Sequence, residues 1–377
     1  MLKNETQAHV NIGGNFFGRV VDEVVKRPEF FELFCHSLLV EEGERPVVEL
    51  AKYIDGQISI NEVSNLVYPS CGQIILNEKK PPKKLDEMAN LCLDGYELDK
   101  YLTPEIILPV QSSRGCYWGK CSFCDQGFGQ NLSIKSVDKL IAEFREIKEK
   151  YGIAKFEFID ESVSPAYLKE LSSRLEEQKL EVEYFFDARL ESTFSFEILQ
   201  KAHKNGLKMV LWGLESGSEK IMELINKGID VSRRLEILKN SSDAGIWNFA
   251  FIFFGFPAET FEDAQKTIEL LVNNTDIIHS YGRSVFTMGK HTHLRDDPQK
   301  YGIVEIYPSK DEFMPSYSFK SEAMDEKQLQ NVLKLCKDTC YKAYNQPIWM
   351  YLRYREYLFM YLTKYSVKEL RNYKLKL

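Results

Sequence analysis

Apolar positions along residues 104–289 switch repeatedly between two spacings. Continuous apolar runs are typical of buried strands, and they alternate with segments in which apolar residues recur every three to four positions, which is typical of amphipathic helices. In the segment 134–150, for example, Val137, Ile141 and Phe144 share one helix face. The predicted strands are 106–112, 154–160, 182–188, 207–213, 247–254 and 283–288. The predicted helices are 134–150, 164–178, 194–204, 218–226, 231–243 and 259–273.

This alternation predicts an α/β fold for residues 104–289. Parallel strands joined by crossover helices form a curved, right-handed sheet, and the strand–helix units found here make a partial, three-quarter TIM barrel of the (βα)6 kind. An eight-stranded barrel would need two more units than the pattern contains.

Residues 1–58 also have α/β character, but on a smaller scale. The predicted strands end near Gly14 and cover 37–40, and the predicted helices cover 18–34, split by Pro28, and 47–54. Two strand–helix pairs are too few for an independent doubly wound sheet. We therefore expect an apolar sheet face and an unpaired strand edge near Val10 and Leu38–Val40.

The remaining segments carry weaker signals. Residues 59–103 are predicted to be a linker, because the run Lys79–Lys84 combines two prolines with four like charges and favours an extended chain. Residues 290–377 are predicted to be a helical region, with helices over 325–345 and 348–366. Cys336 and Cys340 lie one helical turn apart in the first of these helices and are interpreted as buried thiols.

Composition and charge narrow the classes of function. The chain has a net charge of −7 and a pI of about 5.6, which argues against a broad surface for nucleic acid or membrane. No apolar run reaches the roughly 18 residues that cross a bilayer. The N-terminal residues do not read as a signal peptide, and the eight cysteines are not spaced as a disulfide framework. We therefore expect a reducing, cytoplasmic location.

The chemistry is concentrated in Cys116, Cys121 and Cys124, three thiols within nine residues that follow the first predicted barrel strand. A short loop can point all three at one centre, where thiolates bind soft metals or iron–sulfur clusters. Three thiolates on a four-iron cluster leave one iron open to a small molecule. The alternatives are three inert buried cysteines or a zinc knuckle with a distant fourth ligand.

This cysteine loop resembles the cluster loop of the radical S-adenosylmethionine (SAM) superfamily. The resemblance implies that Cys116, Cys121 and Cys124 hold a [4Fe-4S] cluster, that the open iron binds SAM, and that an electron cleaves SAM to a 5′-deoxyadenosyl radical. The sequence departs from the usual spacing, since it has four residues between the first two cysteines where the family usually has three.

The same resemblance assigns roles to residues that follow the predicted strands. Asp160 and Glu161 match the acidic pair that accepts a hydrogen bond from the SAM amino group, although either could instead cap a helix. Arg189 suits the SAM carboxylate, with a surface salt bridge as the alternative.

Two further positions match the superfamily's SAM-binding residues. The stretch Gly213–Ser216 resembles its Gly-Leu-Glu-Ser sequence, which implies that Glu215 binds the SAM ribose hydroxyls and that Ser216 either joins it or caps the next helix. Phe123 matches the apolar or aromatic residue that the family places against adenine.

Residues 9–58 resemble the second half of the cobalamin-binding domain that accompanies one branch of the superfamily. The branch pattern Asp-x-His-x-x-Gly is absent, because Lys201 and Ile277 stand where Asp is required before His203 and His279. Either the chain is truncated, or cobalamin is bound without His, or it is not bound. We expect weak or no cobalamin binding by this chain alone.

The branch suggests methylation or rearrangement of an unactivated carbon, in a substrate that is a small molecule or a peptide, with flavodoxin or ferredoxin as the electron donor. Two alternatives remain open. One is a non-catalytic iron–sulfur or zinc-binding protein, and the other is a truncated fragment that acts as a partner chain.

Overall fold

A curved sheet of six parallel strands forms the centre of the molecule. The computed structural model describes residues 8–125, 132–307, 313–344, 349 and 355–373. The six strands are β5 (Leu108–Val110), β8 (Lys155–Phe158), β9 (Glu183–Arg189), β10 (Leu207–Glu215), β11 (Trp247–Phe254) and β12 (Ser280–Val285). They lie in the order β12-β11-β10-β9-β8-β5, and each neighbouring pair is parallel. The predicted partial barrel is therefore confirmed.

Crossover helices cover the outer face of this sheet. They are α4 (Val137–Tyr151), α5 (Pro165–Glu177), α6 (Phe196–Lys204), α7 (Glu219–Leu224), α8 (Arg234–Asp243) and α9 (Phe261–Val272). Alternate strand residues such as Tyr184 and Phe186 point outward and join the helix side chains in the main hydrophobic core. Ser136, Ser164 and Ser195 cap three of these helices through their side chains.

The inner face of the barrel is filled at its amino end. Inward residues from the first halves of their strands, including Phe185, Met209 and Trp247, form a second core with Phe359. The Phe185 and Phe359 rings lie 4.8 Å apart. Phe359 belongs to α11 (Arg355–Leu362), so this C-terminal helix closes the amino end of the barrel and leaves the carboxyl end for chemistry.

The N-terminal segment forms a separate four-stranded sheet. Its strands are β1 (Asn11–Gly14), β2 (Ser37–Val40), β3 (Leu66–Ser70) and β4 (Gln73–Leu76), and its helices are α1 (Asn15–Val24), α2 (Pro28–Leu33) and α3 (Glu44–Ile54). The predicted split of the first helix at Pro28 is confirmed.

The expected free edge at Leu38–Val40 is wrong. Strand β2 pairs in parallel with β1 on one side and antiparallel with β3 on the other, and all four of its residues are buried. The β3–β4 hairpin lies within residues 59–103, which the sequence analysis predicts to be a linker. Burial of Leu66 and Val67 against this sheet offsets the weak local preference for a strand.

The C-terminal region is helical only in part. Helix α10 (Glu326–Ala343) confirms the predicted helix at 325–345, and Cys336 and Cys340 are fully buried. A further helix is α12 (Val367–Asn372), and the second predicted helix, 348–366, falls partly outside the described residues. The sequence pattern missed a small sheet of β13 (Met288–Gly289), β14 (Ile303–Tyr307) and β15 (Ser316–Ser321), in the order β13-β15-β14.

Short elements complete the chain. Two short strands, β6 (Ser113–Arg114) and β7 (Ser133–Ile134), pair antiparallel on either side of the cysteine loop. The 3₁₀ turns are Ile60–Glu62, Leu85–Glu87, Leu98–Lys100, Val231–Arg233, His293–Arg295 and Pro298–Tyr301. Within the described residues, the helices are all too short or too polar to cross a membrane.

Candidate active site

The three cysteines lie on the loop that follows β6, at the carboxyl end of the first barrel strand. Cys116, Cys121 and Cys124 form no disulfide, and each is partly buried. Burial raises the pKa of the Cys121 thiol, and the nearby positive charges of Lys227 and Arg189 act against that rise. Of the groups near Cys121, these two cations are the ones that favour the thiolate, the form in which sulfur binds metal. Among the described residues, no three His, Cys, Asp or Glu side chains are arranged to hold a single metal ion.

The cysteine loop is tied to the turn that follows α7, which belongs to the fourth barrel unit. The Ser122 amide donates to the Ile225 carbonyl at 2.9 Å. The Trp118 indole Nε1 donates to the Asn226 carbonyl at 2.9 Å, and the Asn226 side chain donates to the Lys120 carbonyl at 3.0 Å. These bonds satisfy backbone groups on both segments and hold the loop across the opening of the barrel.

Arg189 supports this loop from beneath. It ends β9 and is 6% exposed. Its Nη2 donates to the carbonyls of Lys227 and Gly228 at 2.7 and 3.2 Å, and its guanidinium lies 4.7 Å from the Trp118 ring and 5.3 Å from the Tyr117 ring. The guanidinium is also ion-paired with Glu191 at 3.1 Å, as the salt-bridge alternative requires, while its Nε has no hydrogen-bond partner among the described residues. These contacts make Arg189 a positioning residue for the loop, while its binding to a SAM carboxylate stays a prediction.

Gly228 lets the Trp118 ring lie against the backbone. A Cβ at this position would lie 2.1 Å from the Trp118 Cζ2 atom, and the backbone φ of +68° is in the left-handed region. Only glycine meets both requirements without strain. The position of the Lys227-Gly228 pair after the Glu215 stretch could have drawn attention to Gly228. The sequence does not indicate that Trp118 is the residue in contact with it.

Asp160 and Glu161 have different surroundings. Asp160 is 4% exposed and accepts hydrogen bonds from the Ser112 amide at 3.1 Å, from the Ser112 hydroxyl at 3.0 Å and from the Ser113 amide. Burial raises the pKa of Asp160, and these hydrogen bonds act against the rise. Asp160 therefore fixes the chain just before the cysteine loop. Glu161 is exposed, which makes it the member of the pair that a ligand can reach.

Glu215 ends β10 in a constrained conformation. Its φ is +61°, and the β10–β11 register shifts between Gly213 and Glu215, so the bulge turns this carboxylate into the barrel opening. Its carboxylate forms an ion pair with Lys227, and both side chains are about nine-tenths buried. A buried carboxylate with one strong partner keeps acceptor capacity for a ligand hydroxyl.

The Ser216 hydroxyl points towards the crossover helix α9. It is fully buried, lies 3.2 Å from the Thr267 hydroxyl of α9 and accepts a hydrogen bond from the Ser218 amide at 3.1 Å. The capping role belongs to Ser218, whose side chain accepts from the Ile221 amide. A direct contact between Ser216 and SAM stays a prediction, although the structure gives the hydroxyl other partners.

A cavity of about 900 Å³ opens beside these residues. Phe123 and Glu215 line it together, and the Phe123 ring packs on Phe253 with centroids 5.2 Å apart. The other lining residues come from β11, β12, α10 and α11: Phe249, Phe251, Ile252, Phe253, Tyr281, Gly282, Arg283, Ser284, Lys337, Tyr341 and Arg355. The volume is that of a site for a cofactor or small molecule.

The N-terminal sheet also reaches the cysteine loop, a contact that no sequence pattern indicates. Arg114, two residues before Cys116, forms ion pairs with Glu42 and with Glu44, the latter at 3.0 Å. Arg19 of α1 pairs with Asp125, the residue after Cys124, at 3.3 Å. The loop is therefore held at both of its ends by side chains of the N-terminal segment.

Comparison with known proteins agrees with the geometry. Residues 110–271 match the family model of the radical SAM superfamily. These residues form a radical SAM domain. The matched range contains the cysteine loop, Glu161, Arg189 and Glu215.

Individual relatives of this radical SAM domain extend the comparison. A protein of Pyrococcus horikoshii named as an uncharacterized methyltransferase is 27% identical over 237 residues, which are 60% of this chain and 50% of the relative. The chain spans about half the length of the curated relatives that it matches.

Two solved structures share the fold. The cobalamin-dependent SAM radical enzyme OxsB, solved with aqua-cobalamin, has a TM-score of 0.69 at 14% identity, over 88% of this chain and 54% of OxsB. The radical SAM methyltransferase TsrM from Kitasatospora setae, solved with cobalamin and a [4Fe-4S] cluster, has the same TM-score and identity, over 88% of this chain and 73% of TsrM. At this identity the likeness concerns the fold.

The contact between Trp118 and Gly228 can be tested by replacing Gly228. Gly228→Ala is expected to displace the Trp118 ring and lower the iron bound per chain after anaerobic reconstitution with iron and sulfide, because the new methyl group overlaps the ring. The measurement is iron and acid-labile sulfide per chain.

Gly152→Ala is the matched control. Gly152 has a φ of +71°, close to that of Gly228, but no atom lies within 4 Å of its added Cβ. It should lose about 1–2 kcal/mol of unfolding free energy from backbone strain and keep its iron content. Equal iron content in both variants would show that the loop does not depend on the Trp118 contact.

Proposed function

We propose that Cys116, Cys121 and Cys124 hold a [4Fe-4S] cluster and that the chain is a radical SAM enzyme that cleaves SAM reductively. The observation that carries this proposal is the position of Cys121, which interacts electrostatically with Glu215, Lys227 and Arg189 at one opening of the barrel. A donor set of three thiols on one anchored loop fits such a cluster, which takes each thiolate on a separate iron. When bound, the cluster supplies the electron that converts SAM to a 5′-deoxyadenosyl radical.

The side chains around the opening fit the parts of SAM. Glu161 is accessible and suits an ammonium group, and Glu215 suits a vicinal diol. Phe123 offers a ring face at the cavity wall for the adenine. The aromatic floor built with Phe359 limits the entry of water from the amino end, which protects a reactive radical.

Methyl transfer or rearrangement at an unactivated carbon is the proposed outcome. Names in two of the comparisons support methyl transfer, since both the Pyrococcus relative and TsrM are called methyltransferases. Electron supply from a flavodoxin or ferredoxin and a reducing, cytoplasmic location belong to the same proposal. The alternatives, a non-catalytic iron–sulfur or zinc protein and a fragment acting as a partner chain, both lack SAM cleavage.

The cobalt-ligating pattern Asp-x-His-x-x-Gly is absent from this chain. In open α/β sheets a ligand binds beyond the carboxyl ends of the strands, which here means beyond Gly14 and Val40. At that end the chain after Val40 is joined to the barrel by the ion pairs of Arg114 with Glu42 and Glu44. His9 and His36 lie before their strands, at the opposite end. We therefore propose that this chain alone binds cobalamin weakly or not at all, although two solved structures that share its fold contain cobalamin.

Replacing Cys121 tests the cluster. Cys121→Ala is expected to lose the iron–sulfur EPR signal and SAM cleavage, because two thiolates cannot hold three corners of the cluster. Cys71→Ala is the control, since Cys71 is an exposed thiol in the β3–β4 turn. A full cluster with SAM cleavage in Cys121→Ala would contradict the assignment. A wild-type EPR signal that does not change when SAM is added would favour the non-catalytic alternative.

Replacing Glu215 tests the SAM site. Glu215→Gln keeps the shape of the side chain and a hydrogen bond to Lys227 but removes the charge, so it should weaken SAM binding by on the order of 1–3 kcal/mol and leave the cluster spectrum unchanged. Calorimetry on the reconstituted protein measures the affinity. If SAM affinity stays the same while thermal stability falls, Glu215 serves only to neutralise Lys227.

Equilibrium dialysis against hydroxocobalamin tests the fit of that cofactor. We expect the purified chain to retain little or none, because the carboxyl edge of the N-terminal sheet is joined to the barrel by its own side chains. The visible spectrum of the dialysed protein measures retention. Tight, stoichiometric retention would contradict this expectation and show that four strands suffice for a corrin.

A further inference from the structure

One wall of the cavity is strongly cationic. Arg283 lies on β12, Lys337 on α10 and Arg355 at the start of α11, and all three line the same cavity. The three residues belong to three different elements, and the fold brings them to one wall. We call these three residues the cationic wall.

The charges of the cationic wall are not neutralised by direct ion pairs. Among the described residues, no carboxylate lies within 4.0 Å of the charged groups of Arg283, Lys337 or Arg355. Arg283 donates to the Leu333 carbonyl and also faces the Cys336 thiol, whose pKa is lowered by its hydrogen bond with Cys340 and by the Arg283 charge. Glu215 is the carboxylate in the cavity lining, and Lys227 already balances it.

Two acidic side chains inside the barrel act on Arg355. Burial raises the pKa of Asp187 and of Glu157 to about 7 each, and Arg355 acts against both rises. Near neutral pH each carboxyl is therefore ionised about half of the time, and together they offset the charge of Arg355. The net positive charge of the wall comes from Arg283 and Lys337.

Apart from Glu215 and Ser284, the remaining lining is largely aromatic. The Arg355 guanidinium lies 5.1 Å from the Phe251 ring and 5.9 Å from the Phe249 ring, so these rings hold its direction. Tyr341 lies one helical turn after Lys337 and presents a further aromatic surface at the mouth of the cavity. An apolar, planar body is the complement of these surfaces.

We propose that the cationic wall binds the phosphate group of a phosphorylated substrate whose apolar, planar body packs on Phe249, Phe251 and Tyr341. Arginine forks match phosphate oxygens in pairs, and the net positive charge from Arg283 and Lys337 suits a dianion better than a single carboxylate. SAM carries a net positive charge from its sulfonium, ammonium and carboxylate groups, so this wall does not favour SAM as a whole. This inference rests on the proposed function, because it treats the cavity as the substrate site of that reaction.

Calorimetric titration of the reconstituted protein tests the proposal with phenyl phosphate as the probe. Benzoate, benzyl alcohol and inorganic phosphate are titrated in parallel, at low and high salt. We expect phenyl phosphate to bind at least about ten-fold more tightly than each of the other three, and its affinity to fall with salt. Equal binding of inorganic phosphate would overturn the planar-body part, and equal binding of benzoate would overturn the phosphate part.

Variants locate the binding. Lys337→Gln and Arg283→Gln should each weaken phenyl phosphate binding about ten-fold, and the double variant should abolish it. Lys342→Gln is the matched control, because Lys342 is exposed on the same helix outside the cavity lining and its loss changes the net charge equally. Lys337 is exposed and has no fold contact to lose, so its variant stays informative if Arg283→Gln proves unstable. Unchanged affinity in Lys337→Gln would overturn the proposal.

A separate assay of SAM cleavage distinguishes failure of the phosphate-site proposal from failure of the proposed function. SAM cleavage by the wild-type protein without phenyl phosphate binding refutes only the substrate class. Phenyl phosphate binding without a cluster or SAM cleavage refutes the proposed function and leaves an anion site of another kind.

Discussion

Arg189 connects three parts of the molecule that are distant in sequence. From the end of β9 its guanidinium holds the carbonyls of Lys227 and Gly228 and lies against the ring of Trp118, which belongs to the cysteine loop. The position of the thiols therefore depends on a buried cation rather than on the loop's own sequence. Removing such a cation would leave two buried carbonyls without donors, a cost of about 1–3 kcal/mol for each group.

The two ends of the barrel differ: the amino end is an apolar core, and the carboxyl end carries the candidate active site. Its amino end is filled by aromatic side chains that include Phe185 and Phe359, whereas charged residues gather at the carboxyl end. The buried pair of Glu215 and Lys227 is costly to desolvate, and such pairs contribute little net stability. Its value lies in fixing one carboxylate, in a left-handed backbone conformation, beside Cys121.

The sequence predicted the periodic parts of this molecule well. Strand β11 (247–254) and strand β2 (37–40) match their predicted ranges, because a largely apolar run favours a buried strand. The β3–β4 hairpin and the β13–β15 sheet were missed, because short strands of mixed composition are formed by their partners. The roles of Asp160 and Glu161 were also beyond the sequence, since neighbouring residues in extended backbone point in opposite directions and only the structure shows which one is buried.

The ion pairs of Arg114 with Glu42 and of Arg19 with Asp125 have a thermodynamic consequence. They join the N-terminal sheet to both ends of the cysteine loop, so order in one favours order in the other. Coupling between two sites is reciprocal. A group that binds the three thiols and orders their loop must therefore raise the free energy of unfolding of the N-terminal sheet. In return, the intact sheet must strengthen the binding of that group by the same free energy. The N-terminal sheet, which supplies none of the three thiols, thus helps to determine how tightly they bind that group.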